Sequence, residues 1–138
     1  MRANDGTRTG GEILIDQLVI HGVKQAFCVP GESYLAALDA FYERPIELTI
    51  CRQEGGATMM AEAQGKATGR PGIVFVTRGP GATNASPGIH IAQQDSTPLI
   101  VFVGQVGREM RERDAFQELN YRAVFGSICK WVTEIDDP

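Results

Sequence analysis

The sequence predicts a doubly wound α/β fold, a single parallel sheet with helices on both faces, and three features carry that expectation. Short apolar runs rich in β-branched residues, at 26–29, 46–50, 73–77 and 99–103, alternate with longer segments of helical character. Those runs are apolar nearly throughout rather than at every second residue, as strands buried on both faces are. No internal repeat or low-complexity stretch interrupts the alternation.

Each element has a local reason. Residues 12–21 place Ile13, Leu14 and Leu18 at helical spacing, with Ile15, Val19 and Ile20 less regular, and the segment closes at Gly22. The strand at 26–29 is stopped by Pro30-Gly31, after which Ser33 is expected to cap a helix reaching about Tyr42. A strand at 46–50 leads into a helix over 54–68, with Gly69 just past its end. Pro71-Gly72 and Pro98 flank the strands at 73–77 and 99–103. Between them residues 82–95 read as helix, where Pro87 is tolerable only in a first turn or at a kink. A last helix is expected within 116–129 and a last strand at Trp131-Val132.

Composition narrows the class. The chain has 138 residues, 43% of them hydrophobic and 22% charged, which suits one globular domain. A formal charge of −4 argues against nucleic acid, and Arg108, Arg111 and Arg113 are interleaved with Glu109, Glu112 and Asp114 as on a solvated face. The apolar runs are strand-sized, far below the roughly 20 residues a bilayer requires, so no membrane association is expected. Residues 1–10 are polar with no apolar signal core and read as a flexible leader, leaving 11–138 as the domain. Cys28, Cys51 and Cys129 are odd in number and lack CxxC spacing, which points to free thiols in a reducing cytoplasm. Without a secretory signal, the Asn84-Ala85-Ser86 sequon carries no weight.

Ligands of doubly wound sheets bind outside the carboxyl ends of the strands. Four unusual segments fall there: Pro30-Gly31-Glu32-Ser33, Arg52-Gln53-Glu54, residues 78–84 and Gly104-Gln105. The glycine-rich stretch Thr77-Arg78-Gly79-Pro80-Gly81-Ala82-Thr83-Asn84 leaves a strand and opens a helix, which can present backbone N–H groups to an anion. It is neither a nucleotide phosphate loop nor a dinucleotide fingerprint: no GxxxxGK[ST] occurs, and a third glycine is lacking. A tight strand-to-helix turn would account for it equally well. Glu54 opens a helix of very small residues, from Gly55 and Gly56 to Ala67. Two glycines there cost about 1–2 kcal/mol relative to alanines, tolerable where a backbone or a flat ligand must come close. Alone, Glu54 could be no more than a favourable partner of the helix dipole. In a dry site, burial would leave it able to donate a proton.

The segments recur together in one family. Val29-Pro30-Gly31-Glu32-Ser33, Arg52-Gln53-Glu54-Gly55-Gly56-Ala57, Ala67-Thr68-Gly69-Arg70-Pro71-Gly72, Gly79-Pro80-Gly81-Ala82-Thr83-Asn84, Asp95-Ser96-Thr97-Pro98 and Gly104-Gln105-Val106 follow one another at compatible spacing. From about Gly11 to Trp131 the chain resembles the N-terminal, pyrimidine-binding domain of acetolactate-synthase-like thiamine-diphosphate enzymes. The resemblance implies that Glu54 hydrogen-bonds N1′ of the cofactor's aminopyrimidine, favouring the imino form that deprotonates the thiazolium. It implies that Pro30, Thr77, Gly79 and Asn84 line the pyrimidine pocket. Asp114-Ala115-Phe116-Gln117-Glu118 is similar to the segment whose Phe and Gln reach the substrate side, although Phe116 could equally be core packing.

The chain departs from the family pattern in three places: Arg78 stands where Ser is common, Cys51 replaces residues that vary among subfamilies, and Val29-Pro30-Gly31-Glu32-Ser33 has Glu32 in place of a Pro-Gly-Gly form. The middle and diphosphate-binding domains are expected to lie outside this chain, which contains no Gly-Asp-Gly. Only a partial thiamine diphosphate site is therefore expected here, with no metal ligands, and Mg²⁺ belongs with the diphosphate domain. The implied partners are that domain, further copies of the chain in a dimer or tetramer joined through the small-residue helix, and a small 2-keto acid. The implied function is that of a 2-keto-acid decarboxylase or carboligase, inactive as this piece alone. Two other readings stay open: a stand-alone flavodoxin-like module binding an anion at residues 79–84, and a non-catalytic dimerisation or regulatory domain.

Overall fold

The computed structural model describes residues 6–137. It begins with helix α1 (Gly10–Ile20), then strand β1 (Gln25–Cys28), α2 (Leu35–Phe41), β2 (Glu47–Ile50), α3 (Glu54–Thr68) and β3 (Gly72–Val76). After these come α4 (Pro80–Asn84), α5 (Ser86–Asp95), β4 (Leu99–Val103) and α6 (Tyr121–Phe125), with short 3-10 turns at Glu32–Tyr34 and Arg108–Met110. Every strand pairing is parallel, and the four strands lie in the order β2-β1-β3-β4. The leader expected over residues 1–10 lies outside the described residues for 1–5. Thr9 and Gly10 belong to the first helix, where the Thr9 hydroxyl accepts from the Glu12 N–H at 3.1 Å and the Glu12 carboxylate from the Thr9 N–H at 2.7 Å.

The doubly wound expectation is met, and alternation within the strands shows how. Ile73 and Phe75 of β3 face α1 and α2, joining Ile15, Leu18, Ala37 and Phe41 with Ala26 and Cys28 of β1. Val74 and Val76 face the other way, onto Ala57 and Ala61 of α3, Ile89 of α5, and Tyr121 and Phe125 of α6. All five residues of β3 are buried, as a central parallel strand requires. Phe75 anchors the first face, meeting Phe41 edge-on at 5.2 Å and stacking on Phe102 at 4.6 Å.

Four local expectations are corrected. Ser33 does not cap α2; its hydroxyl turns to Thr77 and the Arg78 N–H, and a 3-10 turn precedes the helix. The helix over 82–95 is two helices that meet at Ala85, with Pro87 in the first turn of α5. Lacking an N–H, Pro87 cannot serve the carbonyl of Thr83, and the Ser86 hydroxyl donates to it instead at 2.7 Å. The helix within 116–129 shrinks to Tyr121–Phe125, because Gln117 takes φ +62° and Asn120 caps a new start by accepting from the Ala123 N–H. Trp131-Val132 forms no strand: Val132 packs on the second core, Trp131 stays 77% exposed, and Arg111 holds the following Glu134 and Asp136.

Gly72 shows how tightly α3 sits on the sheet. A Cβ there would lie 1.8 Å from the carbonyl oxygen of Ala61 and 2.6 Å from its carbonyl carbon, both main-chain atoms that no rotamer change can move. Gly72→Ala should therefore destabilise the domain by about 3 kcal/mol, the upper end of ordinary overpacking. Urea denaturation would read this as a lowered midpoint; an unchanged midpoint would mean that α3 slides freely on β3.

Candidate functional site

The strand order reverses at β1, which pairs β2 on one side and β3 on the other. Successive connections leave the sheet in opposite directions at that point, opening a crevice outside the carboxyl ends of β1 and β3. The segments after these two strands close on each other through the Thr77 and Ser33 side chains. A Cβ on Gly31 would lie 2.4 Å from the Thr77 Cβ. Ser33 Oγ lies 2.8 Å from Thr77 Oγ1 and accepts from the Arg78 N–H at 3.2 Å. Tyr34 donates its hydroxyl to the Val29 carbonyl, and burial pushes that phenol well above its ordinary range. The end of β4 joins the same knot, since a Cβ on Gly104 would fall 1.9 Å from Ser33 Oγ.

Glu54 enters from β2 as the first residue of α3. Gln53 fixes that helix start by accepting from the Gly56 N–H at 2.7 Å through its side chain. The Glu54 side chain is half-buried. Its Oε2 accepts from Asn84 Nδ2 at 3.3 Å, and Oε1 lies 3.4 Å from where a Cβ on Gly81 would stand. Thr77 Cγ2 reaches the same point at 2.7 Å, so Glu54, Thr77, Gly81 and Asn84 meet around one glycine. Pro30 is exposed beside them, joined through Gly31.

Gly79 needs to be glycine twice over. Its φ of +57° with ψ −114° is strained for any side chain, and a Cβ would lie 2.6 Å from the carbonyl oxygen of Gln117. Its N–H donates to the buried Tyr121 hydroxyl at 3.0 Å. Burial raises that phenol's pKa, and the Gly79 N–H opposes the rise. Phe116 and Gln117 thus reach the glycine turn from outside, next to Arg78 and Gly79 rather than next to Glu54. The Phe116 side chain is 74% exposed, so the core-packing alternative for it does not hold.

Sequence reasoning missed two contributors. Tyr121 looks like one more aromatic on a helix, and only tertiary contact shows that it caps the Gly79 amide. Glu32 and Arg78 were visible as departures from a pattern, but nothing in the sequence indicated that they pair, at 2.6 Å. A hollow of about 660 Å³ between the 108–122 segment and Glu134 lies apart from Glu54, and its Arg111 is already engaged by Glu134 and Asp136. A smaller one, about 360 Å³, borders Gly79, Pro80, Thr83 and Gln117.

Comparison with known proteins decides the family. The model of the family described as "Thiamine pyrophosphate enzyme, N-terminal TPP binding domain" matches residues 8–124. The chain belongs to that family. Among curated proteins it is 42% identical over 131 residues to the mitochondrial acetolactate synthase of Schizosaccharomyces pombe, covering 94% of this chain and 20% of that protein. It is 38% identical over 128 residues to acetolactate synthase of Bacillus subtilis, covering 93% of this chain and 22% of that protein. It is 41% identical over 123 residues to acetolactate synthase isozyme 3 large subunit of Escherichia coli, covering 88% and 21%. The chain thus spans about a fifth of the length of these relatives. It is a thiamine-diphosphate-binding N-terminal domain of the acetolactate-synthase-like kind.

Among the described residues of this thiamine-enzyme domain, no group of three or more His, Cys, Asp or Glu side chains is placed to hold a metal ion. No helix among them is long and apolar enough to cross a membrane. Cys28, Cys51 and Cys129 are free thiols, and burial pushes Cys28 up to about 11.

The loop carrying Phe116 is shaped by Glu118. Its carboxylate accepts from the Glu112 N–H at 2.6 Å and the Ala115 N–H at 3.0 Å, and these bonds hold its pKa below the ordinary value. A carboxylate depressed in the folded state contributes above its unfolded pKa, and that contribution is lost as pH falls through the folded value. The Glu112 and Ala115 amide resonances should therefore titrate together on acidification, with a midpoint below the roughly 4.3 of a free Glu. A midpoint at or above that value, followed by NMR, would mean that Glu118 does not shape the loop.

Proposed function

We propose that this domain holds the pyrimidine end of thiamine diphosphate, with Glu54 as the group that shares a proton with the ring nitrogen. The observation that carries this reading is the setting of Glu54 at the switch point. One carboxylate oxygen is steadied by Asn84, while Oε1 accepts no hydrogen bond among the described residues and faces the bare backbone of Gly81. A flat heteroaromatic ring with a protonated nitrogen suits such a place, since Oε1 supplies an acceptor for it. Pro30, Thr77, Gly79 and Asn84 line the remainder, and Phe116 and Gln117 stand on the substrate side. When bound, the thiamine group supplies the electron sink for carbon–carbon bond chemistry at a keto acid. This chain contributes position and one proton: Gln53 and the start of α3 hold Glu54, and Asn84 orients its carboxylate.

The diphosphate end and its Mg²⁺ belong, in this reading, to a diphosphate-binding domain outside these 138 residues, and the whole enzyme acts on a small 2-keto acid as decarboxylase or carboligase in the cytoplasm. The 138 residues by themselves would be folded and silent. Self-association is supported by the outer side of α3, where Met59 and Met60 are 41% and 45% exposed. The exposed small residues Gly56, Ala63 and Ala67 leave room there for a second helix.

Complementation tests the reading. Mixed with a diphosphate-binding domain from an acetolactate synthase, thiamine diphosphate and Mg²⁺, the chain should consume keto acid where neither piece does so alone. Glu54→Gln should lower that turnover at least about a hundredfold, as loss of a positioned proton donor does. Turnover retained in Glu54→Gln would remove Glu54 from the proton role. Turnover by the chain alone would overturn the half-site.

A further inference from the structure

Arg78 ties together the segments following three strands. Its backbone N–H donates to Ser33 after β1. Its Nη2 donates to Glu32 Oε1 at 2.6 Å, and its Nε donates to the Phe116 carbonyl at 3.0 Å. The guanidinium also lies 5.9 Å from the centroid of the Phe116 ring. The side chain is only 12% exposed, although its carboxylate partner Glu32 is 70% exposed. An exposed ion pair by itself contributes little. Here the guanidinium is enclosed by the loop it holds, and its planar fork serves two acceptors at once.

Elsewhere the loop is held by Arg111, which pairs with Glu134 and Asp136, and by Gln105, whose Nε2 donates to the Leu119 carbonyl at 3.4 Å, but neither contact reaches the segments after β1 or β3. Glu118 bonds only within the loop, to Glu112 and Ala115, and Gln117 rests on Gly79 in a left-handed conformation. A serine at position 78 could not span to either Glu32 or Phe116. Arg78 and Glu32, both at positions that depart from the family's pattern, are therefore partners in a single contact.

We propose that Arg78, held by Glu32, is a positioning residue that locks the Phe116–Gln117 segment over the carboxyl ends of β1, β3 and β4 and thereby sets the shape of the substrate side. This rests on the reading of Phe116 and Gln117 as substrate-side residues. Arg78 itself takes no part in bond making; it fixes where the exposed Phe116 ring stands. A lysine there would keep the charge opposite Glu32 but could not bond Glu32 and the Phe116 carbonyl together. A glutamine at position 32 would still offer an acceptor to Nη2.

Amide exchange of the chain, followed by NMR without cofactor, tests the clamp. The Glu112, Ala115 and Glu118 amides are hydrogen-bonded within the loop. Both Arg78→Ser and Arg78→Lys should speed their exchange about tenfold or more, Glu32→Ala less, and Glu32→Gln hardly at all. The Val74 and Ala61 amides should keep wild-type rates. Unchanged loop amides in Arg78→Lys would overturn the clamp, as would a parallel acceleration of the core amides, which marks ordinary loss of stability. Glu54→Gln should leave all these rates alone, so the clamp and the proton role fail separately. In the complemented enzyme, Arg78→Lys should raise the keto-acid KM several-fold while thiamine diphosphate affinity holds. A loosened loop with an unchanged KM would sink the substrate-side half of the proposal.

Discussion

The constraint on which this structure turns is the meeting of β1 and β3 at their carboxyl ends. A parallel sheet buried on both faces must send its connections over both sides, so one pair of neighbouring strands has its loops diverging. In this domain that pair brings the Thr77 side chain directly against the backbone of Gly31. Ser33 then bridges to Thr77 and Arg78, Gly104 packs on Ser33, and Glu54 arrives from the next strand at the edge of the same gap. Each of these contacts needs the strand ends to stay in register. The register is held in turn by the all-buried β3 and the backbone contact of Gly72 with Ala61.

Much of this was legible in the sequence, because it rests on local chemistry. Apolar runs without alternation mark strands covered on both faces, and all four run where they were expected. The carboxylate at the head of a helix of small residues stands at the switch point for the same reason. Close approach demands glycine and alanine, and those residues are conspicuous in a sequence. Glu54, Thr77 and Asn84 come together as a cluster around Gly81, a grouping that the sequence offered only through its resemblance to the family.

What escaped the sequence depends on partners far along the chain. The tail after β4 has helix-forming composition, but polar side chains take over its backbone groups. Glu118 captures the amides of Glu112 and Ala115, Gln117 adopts a left-handed conformation, and the helix starts only at Tyr121. Competition of this kind between side chain and backbone is invisible to periodicity. The pairing of Glu32 with Arg78 joins residues 46 apart, and the bond from the Gly79 amide to Tyr121 joins residues 42 apart. Neither has a pattern to read.

The two sides of the crevice are therefore coupled to the fold in different ways. Glu54 is carried by α3, whose Ala57 and Ala61 are wholly buried against the sheet, so displacing the carboxylate means disturbing the core. Phe116 is carried by a loop whose hold on the domain is polar and mostly at the surface, through Arg78 and the Gly79 turn. Core packing tolerates little change of volume, whereas surface polar contacts can be exchanged at small expense in stability. The Glu54 side is thus bound to the stability of the domain, and the Phe116 side rests on contacts that can be exchanged. Position 78 lies on the boundary: its backbone belongs to the rigid turn and its side chain to the variable loop. In the clamp proposed above, the arginine side chain sets the loop's position while Glu54 keeps its own contacts with Asn84 and the Gly81 turn.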